Sequence, residues 1–413
     1  MGGRRVTGQP YSLIERLATH LQRPVDQTTR ARARLHLLDW LACVAGARQS
    51  AVAQATRGAA AAPGTLGNLL EMDDVHRAAL LHPGPIIWPV VLREASGSAG
   101  LDRLLDAAVR GYEAMIALGE TLDGAHYARW HPTATAGGFG AAAAAASLLG
   151  LDAEATGWAL GNAASVAGGF WHMRHTGSMA KQWHCDHAIT TGLAAAAHAR
   201  AGLTGPVAVL EGEQGLYAGF GVAPRPMRFP AGWRIHEVSF KPWAACRHAH
   251  PAIDCALELR AAGRLQPPFV LETYADALAF CDRPEPATPA EAKFSLQHAV
   301  AVIAAGRDAR PADFTEAAIA ELAPLRAAMQ VAEAAEFTAR YPAHFGARLN
   351  GFELIDARGD PERPVDAAAI RAKAATLADW GGLAPAQAAR AASLALEGDD
   401  PGAIVAMLGE WLR

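Results

Sequence analysis

A chain of 413 residues is too long for one small core and predicts two or three domains. Hydrophobic residues make up 51% and charged residues 19%, the balance of an ordinary soluble globular protein. The formal charge of −4 is spread without a basic stripe, so nothing in it calls for nucleic acid.

The opening MGGRRVTGQP holds two arginines with no apolar stretch behind them, so neither a secretory nor a twin-arginine signal is expected. Val6 also occupies the position where a myristoylation pattern wants Ser or Thr. From Tyr11 to Tyr217 the pattern is helical. Apolar residues recur at helical spacing in Arg32 to Ala45, Leu101 to Leu118 and Thr190 to Ala201. Short Gly and Pro punctuation, as in Gly202 to Pro206, separates the segments. Pro132 to Leu151 carries no charge and has the length of a membrane span. Its Ala and Gly gain little from lipid, so it predicts a helix buried in a soluble bundle. Heavy Ala and Gly use with modest aromatic content favours close-packed helices over a β-sandwich.

The texture changes after Lys241. A helix is expected over Pro251 to Ala262, then a strand over Pro268 to Tyr274, bounded by prolines and rich in β-formers. Thr288-Pro289-Ala290-Glu291 reads as a capping box opening a helix that carries Phe294 to Ala304. Met329 to Phe337 and Ala347 to Ile355 read as further strands, and Asp400-Pro401 opens a last helix through Trp411. The predicted fold is mainly α. A large all-helical domain spans residues 1–240, completed by C-terminal helices over 371–413, and a smaller α+β domain spans 241–370.

Five polar clusters interrupt this apolar background. They are Glu71-Met72-Asp73-Asp74-Val75-His76 with Leu81-His82-Pro83-Gly84; Arg129 to Thr135 around His131; Gly177 to His187; Lys241-Pro242-Trp243 with Cys246-Arg247-His248-Ala249-His250; and Phe294 to His298. Sixteen histidines is a high number for this length, and many fall in these clusters. Imidazoles collected in a pocket donate and accept protons near neutral pH. Lys181 and Arg247 can clamp carboxylates, and cations stabilise the enolate-like charge left by proton removal beside a carboxylate. Two rival chemistries exist. His184 and His187 share a helix face next to Asp186 and suggest a metal, but no HExxH motif is present and no metal is expected. Cys185 or Cys246 with a histidine would make a nucleophile, yet no signature surrounds either. The five cysteines, Cys43, Cys185, Cys246, Cys255 and Cys281, are scattered in odd number, which predicts reduced thiols and a cytoplasmic location.

Taken together, the motifs resemble the MmgE/PrpD family, which includes 2-methylcitrate dehydratase, cis-aconitate decarboxylase and iminodisuccinate epimerase. The resemblance is carried by His131-Pro132-Thr133-Ala134-Thr135-Ala136-Gly137, Met179-Ala180-Lys181 with His184, Leu210-Glu211-Gly212-Glu213, Phe240-Lys241-Pro242-Trp243 with Cys246 to Asp254, and Glu291 to Gln297. It runs from about Arg32 to beyond Asp360. It implies a helical domain and a smaller α+β lid domain, an active site in the cleft between them, and a homodimer. It implies no cofactor, neither iron–sulfur cluster nor nucleotide; that no membrane or nucleic-acid partner is expected follows from the Ala- and Gly-rich segment and the charge spread described above. Active-site positions carry over as His82, His131, Lys181 and His250. Substrate-binding positions are Glu71, Asp73 and Asp74 of the acidic motif, with Arg247, His184 and His298. The chain departs from the family where Glu71-Met72-Asp73-Asp74-Val75 replaces Asp-Phe-Asp-Asp-Thr, and where Asn68 stands in place of a His. It departs again where His298 replaces the decarboxylase's Tyr, and at Asp186-His187. The function expected is dehydration of a hydroxy-polycarboxylate such as 2-methylcitrate. The alternatives are an epimerase or decarboxylase on the same scaffold, and a non-catalytic polycarboxylate-binding relative.

Overall fold

The computed structural model describes residues 11–58, 62–93, 100–176 and 178–413. The reading of the first ten residues, and Gly177 of the third cluster, lie outside them. The chain divides into two compact units. One is built from the stretch up to Arg34, Ala79–His236 and Gly398–Ala406; the other from Leu35–Ala78, Glu237–Glu397 and Met407–Arg413. Contacts therefore group residues 35–78 with the later part of the chain, across the boundary expected near residue 240.

The first unit is helical. At its centre lies Pro132–Leu148, the uncharged segment of the sequence, buried along nearly its whole length. Among the described residues no helix is long and apolar enough to cross a membrane. Helices Leu101–Thr121 and Ala180–Arg200 pack on it. Small residues set how closely they approach. A Cβ at Gly140 would stand 2.5 Å from Met115 Cβ and 2.9 Å from the Gly111 carbonyl oxygen. One at Gly192 would collide with Ala141 Cβ and lie 2.6 Å from the Ala142 backbone nitrogen. The Ala and Gly bias of the composition is thus spent on bringing helix backbones together.

The second unit is α+β. Strands β1 (Phe269–Thr273), β2 (Met329–Glu333), β3 (Ala347–Leu349) and β4 (Phe352–Leu354) form one sheet in the order β2-β1-β3-β4. β1 runs parallel to β2 and antiparallel to β3. Phe269, Leu271 and Thr273 of β1 face the core while Val270 is exposed, the period-two pattern of a half-buried strand. Helix His250–Ala261 packs on β3 and β4 and against helix Leu296–Ala304.

Three expectations need correction here. Thr288 does cap a helix, its hydroxyl accepting from the Glu291 N–H, but the Glu291 carboxylate accepts from the Ala287 N–H instead of closing a box. That helix stops at Ala292, and Ser295 caps a separate one by accepting from the His298 N–H at 3.0 Å. Met329 to Phe337 is a strand only to Glu333. Helix Ala335–Arg340 then takes over and buries Phe337. Ala347 to Ile355 is a hairpin of two short strands, because Asn350 and Gly351 both adopt positive φ, 46° and 80°, as a tight two-residue turn requires.

Replacing Gly192 with Val should destabilise the protein by about 2 kcal/mol, the usual scale for overpacking a tight helix contact. Urea unfolding of the variant, with an unchanged midpoint counting against the close-approach account, checks this.

Candidate functional site

In the first unit the imidazoles are placed by helix starts. His131 stands at the N-cap of Pro132–Leu148, and its N–H donates to the Gly169 carbonyl at 2.8 Å. Gly169 holds φ 118°, and a Cβ there would strike Ala134 and lie 3.4 Å from the His184 ring. Only glycine lets that loop pass between the two histidines' supports. His131 and His184 meet directly, Nδ1 to Nδ1 at 3.1 Å, with Trp171 against the His131 ring at 4.5 Å. His82, half-buried, is tied to the same helix start, its N–H donating to Thr133 Oγ1 at 3.1 Å. Lys181, also half-buried, lies three residues before His184 in helix Ala180–Arg200 and shares its face. Four sequence-selected residues are therefore gathered around two helix N-termini, neither with an acid in its first turn.

The Nδ1 pair constrains protonation. Two nitrogens at this distance share one proton between them, so both rings cannot be imidazolium at once. Burial, with the nearby His187 adding to it, holds His184 below the usual imidazole range. His187 itself is exposed and stacks on Trp183 at 5.2 Å. His126, which sequence reading passed over, is buried and pairs with Thr135 Oγ1 at 3.0 Å; burial takes it down to about 4 despite Asp123.

In the second unit the acidic segment is enclosed by partners from distant parts of the chain. Glu71 adopts φ 58°, the left-handed region. Asp73 accepts from the Asn68 amide at 2.7 Å, and Asp74 pairs with His36 Nδ1 at 2.8 Å. His36 stacks on Phe240 at 4.3 Å. The fully buried Lys241 ammonium lies 3.7 Å from both Glu71 and Asp73. Val75 and Ser239 form an antiparallel bridge, and Lys373 donates to the Met72 carbonyl at 2.5 Å.

Arg247 pairs with the fully buried Asp360, which also accepts from the Ser239 hydroxyl at 2.6 Å. Burial pushes Asp360 up, but Arg247, Ser239 and Arg77 outweigh it and hold the carboxyl below its usual range. His250 is fully buried with Nε2 at 3.1 Å from the Ala245 carbonyl. Burial first, then Arg247 and Lys241, hold it well below the usual imidazole range. The neutral ring therefore donates through Nε2, and its Nδ1 has no hydrogen-bond partner among the described residues.

His298 is enclosed, with Nε2 on the Asp313 carbonyl at 2.8 Å and Nδ1 at 3.4 Å from Arg326; burial lowers it to about 4. Those contacts are the geometry of a core histidine. His248 likewise bonds the Tyr274 hydroxyl at 2.8 Å and stacks on Phe280 and Phe345. Cys246 is buried; the adjoining Cys281 thiol draws it below the usual thiol range. Lys241, Asp360, His36, Lys373 and Asp39 were not selected as site residues from sequence. Only Lys241 stood in a quoted motif; the others become legible through long-range pairing.

Comparison with known proteins agrees in both halves of the chain. The MmgE/PrpD N-terminal domain matches residues 55–226, and the MmgE/PrpD C-terminal domain matches residues 243–397. A cis-aconitate decarboxylase-like protein, oryM, of Aspergillus oryzae is 33% identical over 160 residues, covering 36% of this chain and 33% of that protein. Human cis-aconitate decarboxylase is 30% identical over 252 residues, covering 55% of this chain and 51% of the relative. The matched chain thus spans between a third and about half the length of these curated relatives.

Replacing His187 with Ala removes one of the two influences that depress His184. The His184 pKa should rise while staying below that of a free imidazole, since burial remains. Imidazole NMR titration checks this, and a fall or no change would refute it.

Proposed function

Because the chain belongs to the MmgE/PrpD family, we propose that it is a lyase acting on a small hydroxy-polycarboxylate by proton transfer beside a carboxylate. The observation that carries this is the His131–His184 contact, with Lys181 on the same helix face as His184. In the proposed reaction a neutral ring of the pair takes the proton from the carbon next to a carboxylate. The second nitrogen of the pair spreads the charge that results. The electron pair left on carbon forms the double bond as the hydroxyl departs, and a proton from His82 lets it leave as water. Lys181, a compact cation beside two helix N-termini, stabilises the enolate-like charge between these events. In the second unit, Arg247, His250 and the Glu71 to Asp74 segment are proposed contacts for substrate oxygens. The curated relatives' names favour one second reading, decarboxylation of cis-aconitate, in which the bond to one carboxylate breaks, carbon dioxide leaves, its electron pair stays on the allylic carbon framework, and a protonated imidazole of the same set delivers a proton to that carbanion.

Incubation with 2-methylcitrate, citrate and cis-aconitate in heavy water, followed by NMR, separates the outcomes. An unsaturated product at constant carbon count supports dehydration, and released carbon dioxide supports decarboxylation. Deuterium entering unreacted substrate without either product indicates an epimerase. Ligand-dependent thermal stabilisation without any of these leaves a binding protein and ends the lyase reading. Lys181→Ala should lower kcat by about a hundredfold or more, the scale for losing a group that stabilises developing charge. Full activity in that folded variant removes Lys181 from the mechanism.

A further inference from the structure

The segment Glu71 to Asp74 carries three carboxylates in a short non-helical stretch and passes through a left-handed residue at Glu71. Like charges at this density repel, so its shape has to be imposed from outside. Side-chain partners hold each carboxylate. The backbone between Glu71 and Asp73 is held differently: the Met72 carbonyl accepts from Lys373 Nζ at 2.5 Å. Lys373 lies on helix Ala367–Trp380, 301 residues further along, and is itself fixed by Asp39 at 2.6 Å. Lys373 is 8% exposed and Asp39 1%.

Stability is a poor explanation for this pair. Two charges withdrawn from water are often no better than apolar residues of similar volume. Burial, with Asp74 and Asp73 adding to it, raises Asp39 to about 6 even with Lys373 lowering it, a sign of how strongly the site resists charge. What an apolar residue cannot supply is a donor to the carbonyl at the point where the Glu71 and Asp73 side chains diverge around the Lys241 ammonium. We infer that Lys373, oriented by Asp39, is a positioning residue that sets Glu71 and Asp73, and through them Lys241, for a substrate carboxylate. This rests on the reading that the acidic segment contacts substrate.

The test compares Asp39→Leu/Lys373→Met, which removes the pair without leaving an unpaired charge, with Asp39→Asn, which keeps the lysine and its bond to Met72. The apolar double variant should melt near the wild-type temperature. Its amide hydrogen exchange over residues 70–76 should rise about tenfold, and KM for whichever polycarboxylate is turned over should rise by a similar factor with little change in kcat. Asp39→Asn keeps an oxygen that can accept from Lys373 but strands the lysine's charge, so it should melt below wild type while exchange over residues 70–76, measured well below its melting temperature, and KM stay within about threefold of wild type. If the double variant keeps wild-type exchange and KM, or if Asp39→Asn loosens the segment as much, the inference is overturned. If the double variant fails to fold, Asp39→Asn and Lys373→Met decide by exchange alone, with equal protection in both counting against it. A wild-type protein inactive on every polycarboxylate sinks the function reading instead, and the exchange comparison still decides this one.

Discussion

The spacing between helices Pro132–Leu148 and Ala180–Arg200 is the constraint from which the first unit's chemistry follows. Gly192 against Ala141 lets the two backbones approach to a distance that any larger residue would forbid. The helix starts are then near enough for His131 and His184 to meet nitrogen to nitrogen. Tight packing in a protein interior leaves little freedom for either element to adjust. The imidazole pair is in this sense a product of the small residues several turns away, and Gly169 completes it by letting its own loop slip past the His184 ring.

The second unit solves an opposite problem, how to bury many charges. Asp39, Asp73, Asp74 and Asp360 are each almost wholly enclosed, as are Lys241, Arg247 and Lys373. Isolated, any of these would carry a heavy desolvation penalty. They are arranged so that nearly every charge faces an opposite one: Asp39 with Lys373, Asp360 with Arg247, and Glu71 and Asp73 with Lys241. Pairing of this kind defines position more than it adds stability, because each partner removed would strand the other.

His250 and His298, both expected at the site, show how context separates residues that look alike in sequence. Among the described residues His250 keeps one nitrogen without a partner, while His298 has both nitrogens engaged by Asp313 and Arg326. Spacing along the chain could place both on helix starts, but it could not reveal what faced them. The long helices and β1 were legible because their apolar periods are strong. The errors all fell where a local signal competed with them: Ser295 restarting a helix, Phe337 spent on a helix instead of a strand, and Asn350-Gly351 turning the chain inside an apolar run. The site was legible as a set of residue types and motifs. Its architecture was not, since Asp39 meets Lys373 across 334 positions and no local pattern announces such a pair.

Asn68 carries one further consequence. Its amide, an uncharged donor, is what Asp73 accepts from at 2.7 Å. An imidazole there would gain charge on acidification across roughly pH 5 to 8 and grip the carboxylate harder. An amide takes up no proton in that interval. This one donor to Asp73 therefore keeps the same charge from mildly acidic to mildly alkaline conditions, where an imidazole's would change.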